Sequence, residues 1–516
     1  MARAADSLGD PARAAQMLAR LVREQPGDTT LRRRAIVGAI EAGDTQLALE
    51  LGRTMPIAET PLDLRLLLVA DELRRGREGR ALEILRVREG VIDSSFFAPF
   101  IEAWMHAERR DSKALDALEQ VTRGSALASH LPEQRAFILL KLRRAEEAFP
   151  YARIALGAAG GRADRLRLAF ADGFLAAGDR KRALEILDGS GPALAAARAR
   201  VASGKATGFA VDNASEAFSE LVLGLALALN QMQDKRLPVA IAQVARYANP
   251  SNSAATLILA LLMQEDGRTA DALQVLGTIR RDDLFASEAL DAEVRMLIDS
   301  ERQEEALRRA YDVAQSRPNA DNLTRLGVVY IETKRFQEAA DAYGRALALA
   351  GDGTSSDEAW ELRLYRASAL EEAGRWAEAK AELETALKEQ PDNPLLLNFL
   401  GYGKLERGED LEAAEAMVRK ASELRPDDAS ITDSLGWAQF KRGRIAQAIE
   451  TLQRAAEADP GQAEIQEHLG DALYVAGRRF EARFAWRAAL VSADDEQKKR
   501  IQAKIETGLT AATAAP

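Results

Sequence analysis

The sequence predicts an all-α fold, a right-handed solenoid of about fourteen helix–turn–helix units in two superhelical segments, and three observations predict it. Residues recur at a period of 34 near the C-terminus: Leu435, Gly436, Ala448, Leu452 and Ala455 return as Leu469, Gly470, Ala482, Trp486 and Ala489. Across 516 residues no Pro-, Ser- or Gly-rich linker cuts the chain into separate globules, which suits a repeat array with its core spread along its length. The apolar fraction is 47% but aromatics make up only 5%. Small and straight-chain residues, chiefly Ala and Leu, favour close helix packing over sheets.

The register can be followed upstream. Leu400, Gly401, Ala414, Val418 and Ala421 occupy the same places, with one extra residue in the turn Gly408-Glu409-Asp410, and Pro391, Pro426 and Pro460 close successive units. Weaker copies are anchored by Tyr330, Ala339 and Tyr343, then by Ala306, Ala272, Ala240, Ala183, Ala148, Ala114, Ala81 and Ala48. Each anchor has a physical role. Gly436 and Ala448 fall where two antiparallel helices cross, and only a small side chain lets the backbones approach. Proline lacks an N–H and turns its predecessor away from helix, so it ends a unit. The pairs Gly374-Arg375, Gly443-Arg444 and Gly477-Arg478 fall between helices, where a left-handed glycine closes the first of them.

The pattern divides the chain into residues 1–188, a degenerate first segment; 189–215, an irregular junction; 216–493, a second segment; 494–508, a capping helix; and 509–516, a disordered tail. Leu8-Gly9-Asp10, then Ala14, Leu18, Leu21 and Pro26, read as the turn and second helix of a unit whose first helix is nearly absent. The expectation is a native chain that starts further upstream. The junction carries Gly191-Pro192, Gly204 and Gly208, and its Ser203-Gly204-Lys205-Ala206-Thr207 looks faintly like a phosphate loop without the required upstream glycine and strand.

Charge and composition exclude several chemistries. The net charge is −10; residues 1–210 carry 33 Lys and Arg against 28 Asp and Glu, and residues 211–516 carry 37 against 52. An acidic half argues against nucleic acid as a general partner. The run Arg74, Arg75, Arg77, Arg80, Arg86 and Arg88 reads as a solvated face, with an acidic partner as the alternative. There is no cysteine, hence no disulfide, thiolate nucleophile or Cys-ligated metal. No apolar run approaches the ~20 residues of a membrane span. His106, His130 and His468 fall in different repeats, which precludes a histidine metal cluster or a Ser–His–Asp arrangement, and paired carboxylates such as Glu304-Glu305 read as solvated surface. No catalytic residue, metal site or cofactor is predicted.

The pattern of Leu-Gly on a first helix, Ala early on a second, a bulky residue four later, Ala three after that and a closing Pro resembles the tetratricopeptide repeat. Residues 397–408 (LNFLGYGKLERG), 431–444 (ITDSLGWAQFKRGR) and 467–490 (EHLGDALYVAGRRFEARFAWRAAL) look like the end of a large group of such proteins in Gram-negative bacteria. That resemblance implies a periplasmic or outer-membrane-associated location, with the cytoplasm as the alternative.

The resemblance also implies that first helices line a concave side. The inward positions in the last three units are Asn398, Phe399, Tyr402 and Leu405; then Asp433, Ser434, Trp437 and Phe440; then Glu467, His468, Asp471 and Tyr474. Aromatics offer contact area at low entropic cost, and Asn and Asp can hold the amides of an extended chain, so this set is the candidate partner-binding groove. The alternative is that Trp437 and Phe440 pack against the preceding unit. Related repeats that clamp acidic C-terminal carboxylates use Lys, Arg and Asn here. Only Asn398 matches, while Asp433, Glu467 and Asp471 reverse the charge, which favours a neutral or basic extended segment. The function so implied is a non-catalytic scaffold or adaptor that binds other proteins, in cell-envelope assembly or transport. The alternatives are a receptor for a glycan or small ligand, or an accessory subunit of an enzyme complex.

Overall fold

The computed structural model describes residues 11–87, 93–122, 124–231, 235–350, 356–510 and 515, and among these every regular element is a helix. The residues Leu8-Gly9-Asp10 of the expected truncated unit, Arg88, and tail residues 511–514 and 516 lie outside the described residues. Two compact units divide the chain, Met1–Glu301 and Arg302–Pro516.

The turn between paired helices writes the period into the backbone. Positive φ recurs at Gly43, Gly76, Arg110, Arg143 and Gly178, and again at Gly267, Glu301, Lys334, Gly374, Gly408, Gly443 and Gly477. The predicted closers Gly374, Gly443 and Gly477 have φ of 74°, 75° and 82°. Arg110, Arg143, Glu301 and Lys334 make the turn with a side chain present, at a cost of about 1 kcal/mol each. The close approach at the helix crossing is equally direct: a Cβ on Gly436 would lie 2.6 Å from Leu452 Cγ.

In the first unit the helices Thr29–Glu41, Leu62–Arg74, Ala98–Glu108, Leu131–Lys141 and Ala163–Ala176 form one layer, each followed by a second helix. Against this layer lies the hairpin Ala214–Leu229 and Arg236–Ala248. Helix Ala214–Leu229 is buried on nearly every face through Ala226, as expected of a helix with little polar surface, and helix Arg236–Ala248 buries Pro238 to Ala245 while keeping Arg236 and Arg246 at its margin. Phe218 meets Phe97 at 5.3 Å, Tyr247 Oη donates to Asp71 at 3.0 Å, and Gln243 Nε2 reaches the Glu41 carbonyl at 3.5 Å. A Cβ on Gly224 would lie 1.9 Å from His130 Nε2, which explains a glycine in mid-helix. Glu220 is fully buried between Arg162 (3.0 Å) and Arg165 (2.8 Å), and Arg162 also pairs with Glu133 at 2.9 Å. Burial alone would raise the Glu220 carboxyl, but the two guanidinium groups outweigh it and hold it below the usual range.

Residues 189–215, expected to join two segments, lie inside this first unit. Helix Pro192–Ala202 packs on Ala163–Ala176, and the following loop is tied down by the buried Asp172. The backbone N–H of Thr207 donates to Asp172 Oδ1 at 2.6 Å, and those of Gly208 and Phe209 donate to Oδ2 at 2.9 and 2.8 Å. Asp172 therefore takes amides at the end of the stretch that looks faintly like a phosphate loop. The arginine run is also spent internally. Arg75 pairs with Asp71, Arg77 with Glu72, Arg80 with Glu83 and Arg86 with Glu102, while Arg74 lies 4.5 Å over the Tyr247 ring. These arginines stay largely exposed, as a solvated face requires, and their local pairing, which a count of positive charges along the sequence cannot register, neutralises that face.

The second unit is a stack of helix pairs. Ala320–Glu332 pairs with Phe336–Ala350, Ser356–Glu372 with Trp376–Glu389, Pro394–Glu406 with Leu411–Leu424, Ala429–Lys441 with Ile445–Ala458, and Ala463–Val475 with Arg479–Ala489. Helix Asp495–Thr507, opened by an Asp494/Gln497 capping box, covers the last pair. Among the described residues no helix is long and apolar enough to cross a membrane.

Candidate functional site

The inward positions of the second unit come from the first helices Pro394–Glu406, Ala429–Lys441 and Ala463–Val475. Antiparallel pairing puts these helices side by side, so residues one repeat apart become neighbours in space. Their depth in the wall differs sharply. Asn398, Phe399, Tyr402, Phe440 and Tyr474 are half-buried, whereas Asp433, Ser434, Trp437, Glu467, His468 and Asp471 are buried. Leu405 is also buried, in a cluster with Val418 and Leu435. This corrects the expectation of one open groove, because the next helix in the stack covers the inner part of each predicted set.

The buried members form two networks. In the first, His468 Nδ1 lies 2.8 Å from Asp433 Oδ2, and the Trp437 ring is stacked between His468 at 4.0 Å and Phe440 at 4.7 Å. Burial opposes the charged imidazolium of His468, but the carboxylates of Asp433, Glu464 and Asp471 outweigh it and raise the group above its ordinary value. In the second, Lys504 of the terminal helix is fully buried, 2.6 Å from Glu467 Oε1 and 2.7 Å from Asp471 Oδ2. Arg500 adds a contact to Glu467 at 2.7 Å, and Trp486 Nε1 donates to Asp471 at 2.9 Å. The N–H of Ala515 donates to Asp471 at 3.1 Å, so part of the tail expected to be disordered is docked. Two of the three carboxylates that the sequence assigns to partner contact, Glu467 and Asp471, are thus matched by cations of the same chain. Ser434 donates to the Ser430 carbonyl within its own helix at 3.0 Å.

What remains accessible is a rim of aromatics and charges. Tyr402 Oη donates to Glu464 Oε1 at 2.6 Å; burial and that carboxylate push the phenol far above its usual range. Glu406 is half-buried and raised by burial, and Lys441, whose Nζ lies 5.0 Å over Trp437, is lowered by burial. Beneath the rim three buried side-chain atoms have no hydrogen-bond partner among the described residues: Asn398 Oδ1, Asp433 Oδ1 and His468 Nε2. Each leaves desolvation uncompensated, at ~1–3 kcal/mol. The sequence reading missed Glu406, Lys441 and Glu464. The extra residue in the turn Gly408-Glu409-Asp410 was the available signal for Glu406. Lys441 stands one helical turn after Trp437.

The three histidines do not converge. His106 faces Asp111 at 3.0 Å, His130 lies beside Ser129 and Gly224, and His468 belongs to the wall.

Tetratricopeptide-repeat family models match residues 1–62 in the first unit and residues 320–352, 360–403 and 405–471 in the second. It is a tetratricopeptide-repeat protein. Among solved structures, a tetratricopeptide repeat protein from Parabacteroides merdae is 13% identical, covering 49% of this chain and 98% of its own, with a TM-score of 0.41. A thermophilic repeat protein from Thermus thermophilus is 22% identical, covering 36% and 99%, with a TM-score of 0.32. MamA from Desulfovibrio magneticus is 18% identical, covering 34% and 94%, with a TM-score of 0.29. No curated protein matches the sequence. Tetratricopeptide repeats build protein-interaction scaffolds, and this tetratricopeptide-repeat chain is a scaffold of that general class.

Proposed function

We propose that this tetratricopeptide-repeat protein is a non-catalytic adaptor that holds a neutral or basic extended segment of another protein on the rim between Phe399 and Lys441. One observation carries the reading: unsatisfied polar atoms of Asn398, Asp433 and His468 lie beneath half-buried aromatics on successive helices. An extended chain supplies N–H and C=O groups at regular intervals, and the acidic Glu406 and Glu464 favour a basic or neutral one. The buried ion pairs around Lys504 belong to the scaffold and not to the contact surface. A setting in cell-envelope assembly or transport rests on the sequence resemblance alone.

The test is a peptide array of basic, neutral and acidic segments, read against wild type and against Tyr402→Ala combined with Glu406→Lys. Basic segments should bind, and the double variant should lose at least about tenfold in affinity while its helical circular dichroism is unchanged. Preference for acidic segments, or undiminished binding by the folded variant, would sink the reading.

A further inference from the structure

The first unit contains a cavity of about 480 Å³, remote in sequence from the rim, and the adaptor reading makes no use of it. Three arginines from three elements border it: Arg200 on helix Pro192–Ala202, Arg246 on helix Arg236–Ala248, and Arg280 in the loop after helix Thr269–Leu276. Their circumstances differ. Arg200 donates to the Thr207 carbonyl at 3.3 Å, and Arg280 makes a loose, exposed pair with Asp282 at 3.4 Å. Arg246 is half-buried and donates to Thr278 Oγ1 at 3.1 Å, yet faces no carboxylate among the described residues. The other lining acid, Asp283, is occupied, accepting from Ser253 Oγ at 2.7 Å and from the N–H of Phe285 at 2.9 Å.

A half-buried guanidinium without a counter-ion is a standing cost, because water is partly removed and nothing replaces it. Burial accordingly lowers Arg246 from its ordinary value, with no opposing charge. Helix Ser253–Glu265 begins at the same wall, through Ser253 and Thr256, and its amide dipoles add positive potential there. The apolar part of the wall is Phe209, Ile279 and Leu284, set among the hydroxyl-bearing Thr207, Ser251, Ser253, Thr256 and Thr278. A lone inorganic ion would leave most of this volume unfilled.

We propose that this cavity binds a small organic anion whose oxyanion group, carboxylate or phosphate, pairs with Arg246 and whose apolar body lies against Phe209, Ile279 and Leu284. The site does not depend on the rim of the second unit, so either can fail without the other.

The experiment is titration calorimetry of the full chain with benzoate, phenyl phosphate and inorganic phosphate, repeated on Arg246→Gln. One aromatic anion should bind saturably, at least about tenfold more tightly than inorganic phosphate. Which of the two it is distinguishes a carboxylate site from a phosphate site. Arg246→Gln should weaken that binding at least about tenfold while leaving the melting temperature of the unliganded protein equal or higher, since an uncompensated charge is removed. A merely structural arginine would lower it. Absence of saturable binding by both aromatic anions, inorganic phosphate binding as well as either, or unchanged affinity in the folded variant overturns the proposal.

Discussion

The two units solve the same packing problem in different ways. In the first, helices near the N-terminus are covered by a hairpin far along the chain: Tyr247 and Asp71 are 176 residues apart, and Gln243 and Glu41 are 202 apart. In the second, Asp433 and His468 are 35 apart, Glu467 and Lys504 are 37 apart, and Tyr402 and Glu464 are 62 apart. The first unit is closed by its own chain, whereas the second stays open along its rim until the terminal helix ends it. Shared repeat chemistry therefore does not dictate a shared surface. What fills the layer of first helices decides which unit can offer that layer to a partner.

The largest effect that can break this comparison is expected at Glu220. Glu220→Ala leaves Arg162 and Arg165 buried with one carboxylate fewer, and should cost ~3–5 kcal/mol. Urea unfolding combined with hydrogen exchange should localise the loss to residues below 301. A loss under about 1 kcal/mol would mean that the hairpin does not depend on this buried charge cluster.

Next is Lys504→Ala, which removes a fully buried ammonium from Glu467 and Asp471. The cost should be about 3 kcal/mol, because Arg500 and Trp486 still serve the two acids. Amide exchange over Asp495–Thr507 should rise while the first unit is unaffected. Unchanged protection there would show that the terminal helix is held mainly by Ile501 and its apolar neighbours.

The smallest effect is the pH dependence that Glu41 contributes to the first unit. Burial raises the Glu41 carboxyl from 4.5 to about 7, against the opposing pull of Arg236 and Arg268. A carboxyl with a raised folded-state pKa stabilises the fold below its unfolded value, and that stability is lost as pH rises. The window is pH 4.5 to about 7, and the loss is at most roughly 3 kcal/mol. Glu41→Gln should flatten melting temperature against pH across that window. The same slope in wild type and variant would assign the dependence to another group.

Much of the fold was legible because its determinants are local. Gly436 faces Leu452, Gly470 faces Trp486, and the Gly-Arg turns adopt the left-handed backbone that the spacing requires. The hairpin was harder to see because Ala240 sits at a repeat-like position and invites an ordinary reading. Yet residues 221–229 (LVLGLALAL) have no polar side to give to solvent, and that was the available signal. For the candidate site, register identified the face but not the depth. Asp433 and His468 meet only because the next helix covers them, and Lys504 reaches Glu467 and Asp471 from a helix outside the repeat pattern. Pairings of that kind are set by three-dimensional neighbours and leave no periodic trace.

The central hairpin also fixes an order of events during synthesis. Helices Thr29–Glu41 and Leu62–Arg74 leave the ribosome long before Ala214–Ala248 exists to cover them, so their apolar faces wait through well over a hundred residues of elongation. The second unit has no such delay, since each helix pair meets its predecessor as it emerges. The nascent first unit is accordingly the stage at which apolar surface waits longest for its cover, and its completion is a single late closure in place of a run of small additions.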